Sequence, residues 1–244
     1  MTGEQVRLLV LGAPRSGTTL VTAMLACHPE IAMLNEDLNG SIRLLLSKRV
    51  VGNKLCVPNQ IGLEPPGHFE AMARRFYFRH QAVRKLARRL GLGWWNPMSR
   101  LPLRGYLRLP GSRVLGILRH PGAVIPSIMR RGGQPEWVAR RRWNQAVDIL
   151  ARLRQTIPDR CILLSFEELL ENPPVVLDRL LERLDCAYDP RVLFGFAHTR
   201  NYQNTSLDRS KIVPEWSDDQ CGGLRNWRLY QDLKGLTIGH EKDA

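Results

Sequence analysis

Residues 6–25 read as a strand, a glycine-bracketed loop and a helix, and no other stretch constrains the fold as much. Val6-Arg7-Leu8-Leu9-Val10-Leu11 is short, apolar and in part β-branched, as a strand covered on both faces should be. It runs into Gly12-Ala13-Pro14-Arg15-Ser16-Gly17-Thr18-Thr19, after which Leu20, Met24 and Leu25 fall at helical spacing. A turn of this kind aims backbone N–H groups and a helix N-terminus at an anion. Gly12 and Gly17 have the Walker A separation, but Thr18 stands where the lysine belongs and Thr19 fills the hydroxyl position. A magnesium-dependent kinase or ATPase also needs an acid at a neighbouring strand end. The strands expected at 114–118 and 161–165 end instead in Arg119 and Ser165. Arg15 can supply positive charge from within the loop.

The remaining chain alternates strands and helices. Residues 31–34 form a second strand ending in Asn35-Glu36-Asp37, 41–48 a helix, and 50–55 a third strand or extended segment with Lys54 near its end. Residues 62–67 are turn-rich. The spacing of Phe69, Met72, Phe76, Val83, Leu86 and Leu90 predicts a long amphipathic helix over 69–90. Arg79 sits on its apolar stripe, and Arg74, Arg75, Arg84, Lys85, Arg88 and Arg89 on its other faces. Residues 91–111 read as a long loop. Residues 114–118 are a strand, followed by a helix through Ala123 and Met129, a helix over 136–156 and a strand over 161–165. Residues 169–184 are helical with a break at Asn172-Pro173-Pro174, and the tail from Tyr188 has weak periodicity. This alternation specifies an α/β fold, a central parallel sheet flanked by helices. No linker divides the chain, so residues 1–244 are expected to form a single domain.

Composition narrows the partners. A net charge of +13 over 244 residues favours an anionic ligand, surface or nucleic acid. Five scattered cysteines without a Cys-x-x-Cys pair speak against a zinc site or disulfide framework, so no metal is expected and a reducing, cytoplasmic setting is. The first apolar run stops at Gly12, too short for a signal peptide or transmembrane segment. A non-enzymatic nucleic-acid or anionic-surface binder is a competing reading of the charge, though no helix-turn-helix, zinc or aromatic RNA-binding signature accompanies it.

A second anion motif follows the strand at 114–118. Arg119-His120-Pro121 opens a helix that carries Ser127 and Arg131 on one face, four residues apart. Two anion sites at two strand ends of one sheet suit a ligand phosphorylated at both ends. At this point the chain resembles the sulfotransferases that use 3′-phosphoadenosine 5′-phosphosulfate (PAPS), over roughly residues 6–185. The resemblance implies a P-loop-containing three-layer fold. It implies that Arg15, Ser16, Gly17, Thr18 and Thr19 hold the 5′-phosphosulfate, and Arg119 and Ser127 the 3′-phosphate. Ser165-Phe166-Glu167-Glu168-Leu169 with Asn172-Pro173 is similar to a further family segment. Within the family, the protein-tyrosine sulfotransferases are the most similar branch. They share Pro-Arg-Ser-Gly-Thr-Thr-Leu, His28-Pro29, a following Glu, an Asn-Lys pair matched by Asn53-Lys54, and the second arginine matched by Arg131. Bacterial small-molecule and glycan sulfotransferases share many of these features. His120 stands where an acid is usual, Phe166 where a tyrosine is, and the membrane anchor of the Golgi enzymes has no counterpart.

The implied chemistry is metal-independent in-line sulfuryl transfer to an acceptor hydroxyl, leaving 3′-phosphoadenosine 5′-phosphate (PAP). Catalysis of this sort rests on positioning and on cations facing developing charge. It needs a base for the acceptor proton. Glu36, after the second strand and matched to the catalytic acid of the tyrosylprotein branch, is the first candidate, with Asp37 and His68 behind it. Lys54 is expected on the oxygen that bridges sulfate and phosphate, and Arg209 and Lys211 over the cofactor. The acceptor (small molecule, glycan, lipid or peptide tyrosine) would meet segments 60–111 and 188–230, where Trp94, Trp95, Trp216 and Trp227 offer rings. The competing enzyme reading is a P-loop kinase with a degenerate loop.

Overall fold

The structure, a computed structural model, describes residues 4–38, 41, 47–62, 68, 72, 79–89, 101–197 and 207–239. The helix expected over 41–48 falls mostly outside these residues, as do Trp94, Trp95 and the first half of the helix expected over 69–90.

Five parallel strands form the main sheet: β1 (Val6–Gly12), β2 (Ile31–Asn35), β3 (Val50–Cys56), β6 (Ser112–Leu118) and β7 (Cys161–Ser165), in the order β2-β3-β1-β6-β7. Strand β1 is central, paired through Val10↔Lys54 on one side and Val10↔Leu115 on the other. Its side chains alternate between two cores. Leu9 and Leu11 pack with α4 (Pro121–Gly132), α5 (Glu136–Thr156) and α9 (Trp227–Lys234). Val6, Leu8 and Val10 pack with α1 (Thr18–Ala26), α6 (Phe166–Glu171) and α7 (Pro173–Glu182). The result is the three-layer α/β arrangement that the strand–helix alternation predicts.

The break expected at Asn172-Pro173-Pro174 separates α6 from α7, with Pro173 opening the second helix. The helix expected over 136–156 is α5 itself. Residues 91–111, read as loop, contain more order than that. Leu101–Pro102 is a short strand, β5, paired in parallel with β4 (Ile61–Gly62), and Leu103–Leu107 is a short helix, α3. A ladder this short leaves no periodic signature, since it is held by its distant partner. A further helix, α2, spans Gln81–Arg89, and a short α8 spans Asp218–Cys221.

The sheet order has a functional consequence. From β1 the chain crosses to β2 at one edge, and from β6 to β7 at the other. The crevice beyond the C-terminal ends of β1 and β6 is therefore the switch point where open α/β sheets bind ligands. Leu9 has no exposed surface, whereas Leu86 is 57% exposed. Leu9→Ala is expected to cost about 2–5 kcal/mol by chemical denaturation. Leu86→Ala is expected to stay within about 0.5 kcal/mol.

Candidate active site

Both anion motifs open onto the switch point. A cavity of about 580 Å³ lies there, with Arg15, Thr18, Thr19, Glu36, Lys54, Arg119, Ser127 and Lys211 among its walls. That volume is in the range of small-molecule and cofactor pockets.

The loop between β1 and α1 takes two left-handed residues, Arg15 at φ 73° and Gly17 at φ 95°. At Gly17 the requirement is strict, because a Cβ there would lie 2.1 Å from the Phe166 ring. Arg15 Nε donates to Ser127 Oγ (3.1 Å), so the first motif is tied directly to the second. Ser16 is turned the other way. Its hydroxyl is buried behind the loop, has no partner among the described residues, and faces a small void beside Trp143 rather than the main cavity.

Arg119 leaves the end of β6 and is held by backbone. Its Nη1 donates to the Arg15 carbonyl (2.9 Å) and its Nη2 to the Lys211 carbonyl (3.1 Å). Its guanidinium lies 4.2 Å from the centroid of the Phe166 ring. Phe166, at the family's tyrosine position, thus packs both the glycine of the loop and the arginine. His120 caps α4. Its Nδ1 accepts from the Gly122 N–H (3.1 Å), which leaves Nε2–H to donate to Asp218 (3.0 Å). The His120 peptide N–H donates to Glu167 Oε1 (2.9 Å), so acids from other elements surround the position where the family pattern has one in sequence.

The cations around the cavity crowd one another. Burial first, then the charge of Arg131, lowers the pKa of Arg15. Burial and Arg15 lower that of Arg119, with Glu167 opposing. Burial lowers that of Lys211, with Asp208 opposing and Arg119, Arg15 and Arg131 adding to it. A bound anion relieves this repulsion, and a polyanion relieves it most.

Glu36 and Lys54 line the same cavity. Glu36 follows β2 at φ 60°, and its N–H donates to the Lys54 carbonyl (2.9 Å). Register places Lys54 beside Asn35, so the lysine side chain reaches Glu36 Oε1 in a short ion pair. The Lys54 side chain is 3% exposed and that of Glu36 41%. Burial raises the Glu36 pKa, but the hydrogen bond and charge of Lys54, with hydrogen bonds from Gln60 and Cys56, outweigh it and hold the carboxyl below its usual value. Asn53 pins the turn, donating to the Asp37 carbonyl (2.8 Å) and accepting from the Asp37 N–H (3.2 Å). Asp37 turns its carboxylate to Ser41 (2.8 Å to the N–H), and His68 is exposed. Of the three candidate bases, Glu36 alone lines the cavity.

Besides Ser16, two expected residues, Arg209 and Arg131, are not among the cavity walls. Arg209 donates to the Glu171 carbonyl (3.0 Å). Arg131 acts on the cavity through its charge, while its neighbour Arg130 reaches the wall and pairs with Glu215 (Nη2 to Oε1, 2.7 Å). The spacing of Ser127 and Arg131 gave no sign of this, because the tail that brings Glu215 is remote in sequence. Asn59, Ser210 and Val213 also line the cavity without a sequence signal. His28, Glu30 and Cys186 cluster elsewhere, but both His28 ring nitrogens are engaged, by the Ala187 carbonyl (2.9 Å) and the Glu30 N–H (3.2 Å).

A parallel sheet with a glycine loop and crowded cations at its switch point defines a P-loop-type α/β fold. This chain belongs to the sulfotransferase family, whose sequence model matches residues 7–53 and 103–190, more than half of its length. No curated protein matches it in sequence. Among solved structures, the sulfotransferase domain of the olefin synthase of Synechococcus PCC 7002 is similar in fold, with TM-score 0.54 and 17% identity over 96% of this chain and 97% of that one. The sulfotransferase of Alicyclobacillus acidocaldarius (TM-score 0.49, 15% identity, 98% and 97% covered) and sulfotransferase STF9 of Mycobacterium avium (0.49, 13%, 95% and 76%) lie further off, so the fold likeness rests on the first. No helix among the described residues is long and apolar enough to cross a membrane.

Gly17→Ala should lower stability by more than the roughly 1–2 kcal/mol of a left-handed residue, because the new methyl meets Phe166. Gly17→Ala/Phe166→Ala should be less destabilised than the sum of its single variants. Strict additivity in denaturant melts would rule out that contact.

Proposed function

We propose that this sulfotransferase takes its sulfuryl group from PAPS and places it on an acceptor hydroxyl without a metal, with Glu36 as the base. The observation that carries this reading is the convergence of Arg15, Arg119 and Lys211 on a single cavity that the Glu36–Lys54 pair also lines. The donor set suits a ligand with phosphates at two ends: Arg15, Thr18 and Thr19 at the loop, Arg119 and Ser127 at the end of β6, and Lys211 between them in charge if not in sequence. When bound, PAPS supplies a sulfuryl group on an anhydride whose other half leaves as PAP.

The chain's own part is positioning and charge. The loop N–H groups and the start of α1 bind phosphate oxygens. Arg119, fixed by two carbonyls and Phe166, orients the nucleotide without rearranging. Glu36, its pKa held below the ordinary carboxylate value chiefly by Lys54, takes the acceptor proton on a carboxylate oxygen. Lys54 meets the charge that grows on the leaving phosphate oxygen. When its hydrogen bond shifts there from Glu36, the carboxylate becomes a stronger base at the moment a proton must move. The five free cysteines fit a reducing, cytoplasmic setting. The acceptor is a hydroxyl compound, with small molecules, glycans, lipids and peptide tyrosines all within the class.

PAP should raise the melting temperature in the absence of metal, and Arg119→Ala should remove that shift. Stabilisation by ATP with magnesium but not by PAP would overturn the donor assignment. Glu36→Gln should keep the PAP shift yet lower kcat by about 10²–10⁴-fold with labelled PAPS; near-normal turnover would move the base elsewhere. Lys54→Met removes the largest of the influences that lower the Glu36 pKa, leaving the hydrogen bonds of Gln60 and Cys56 against the burial that raises it. Glu36 then stays protonated to higher pH, so the acid limb of kcat/KM should move upward in pH, which a pH–rate profile against wild type measures.

A further inference from the structure

The family's sequence model leaves residues 54–102 unmatched, and α2 lies within that gap. The gap is anchored at the site: β4 begins two residues after Asn59, a cavity wall, and pairs with β5 on the chain's return. From Ala71 to Pro135 the sequence contains no Asp or Glu but fourteen of the 36 Lys and Arg. The whole net charge of +13 therefore resides in this stretch, and the remainder is nearly balanced. Five of the fourteen (Arg79, Arg84, Lys85, Arg88, Arg89) fall within eleven residues on and beside α2.

Alongside the charge, apolar residues on α2, and Met72 before it, are exposed or half-buried among the described residues. Leu86 is 57% exposed, Met72 62%, Ala82 is exposed and Val83 half-buried, while Arg79, Lys85 and Arg89 are also exposed. Ala82, Val83 and Leu86 share one side of the helix by their spacing, and Lys85 and Arg89 another. A nucleic acid or an acidic peptide satisfies the cations but has no use for an uncovered leucine side. A bilayer with anionic headgroups satisfies both, with charge at its surface and hydrocarbon just beneath.

We propose that α2 and its neighbours form a docking surface for an anionic phospholipid bilayer. In sequence the surface lies between β4 and β5, and β4 follows the cavity residue Asn59. Binding is a property of this surface alone and does not depend on the identity of the sulfuryl donor.

The full-length protein should be sedimented with vesicles of phosphatidylcholine alone and with about 30% phosphatidylglycerol, at about 0.1 M and 0.5 M salt. Binding is expected to the anionic vesicles alone, and weaker at the higher salt. Lys85→Glu/Arg89→Glu should reduce it at least tenfold. Leu86→Gln, which keeps every charge, should reduce it severalfold, and both variants should melt as wild type does. Three results would each overturn the proposal: no binding to anionic vesicles, unchanged binding by Leu86→Gln, or single-stranded RNA or polyglutamate displacing the protein from vesicles at equal charge concentration.

Discussion

Like charges held together at a sheet edge are the constraint around which the rest of this protein is arranged. Arg15, Arg119 and Lys211 repel one another and are partly withdrawn from water, both of which cost free energy in the ligand-free protein. Backbone carbonyls, one hydroxyl and one aromatic ring keep them in place: Arg119 on the carbonyls of Arg15 and Lys211 and over Phe166, Arg15 on Ser127. Neutral partners fix geometry without cancelling charge. A carboxylate would hold an arginine as well, but it would also neutralise the field that draws in an anionic ligand. Glu167 and Glu215 offset part of the Arg119 charge from a distance, but their hydrogen bonds go elsewhere. Glu167 accepts from the peptide N–H of His120, Glu215 pairs with Arg130, and Glu36 pairs with Lys54.

The sheet makes this arrangement possible. A strand buried on both faces, with two parallel neighbours, ends at a defined height, and its following loop begins there. Gly12, at the end of β1, is level with Cys56 and Ile117 on the flanking strands, so three loops open into one crevice. Two cores, one on each face, keep β1 from tilting. The free energy of that burial is what holds a left-handed arginine and a left-handed glutamate beside the cavity.

Much of this was readable from the chain itself. The strand–loop–helix at residues 6–25, the strand ending in Arg119, the 136–156 helix and the proline break after Asn172 each rest on local pattern, and each stands in the structure. Arg15, Thr18, Thr19, Glu36, Lys54, Arg119 and Ser127, singled out from the sequence, line one cavity, together with Lys211 from the tail. What pattern could not convey was direction and distance. Ser16 belongs to the loop by sequence, yet its hydroxyl turns into the core because Gly12 leaves space behind it, where a Cβ would lie 2.4 Å from that oxygen. Arg130 rather than Arg131 reaches the wall because Glu215, eighty-five positions away, draws it there. The β4–β5 ladder and the role of Phe166 likewise depend on partners that no sequence window contains.

The register between β2 and β3 has one more consequence. Asn35 pairs with Lys54, so Glu36 and its lysine are set opposite each other by two adjoining strands near their ends. The chain between β4 and β5 leaves and returns through a separate two-stranded ladder. The register of two core strands, rather than any loop, therefore fixes how far that carboxylate stands from its ammonium.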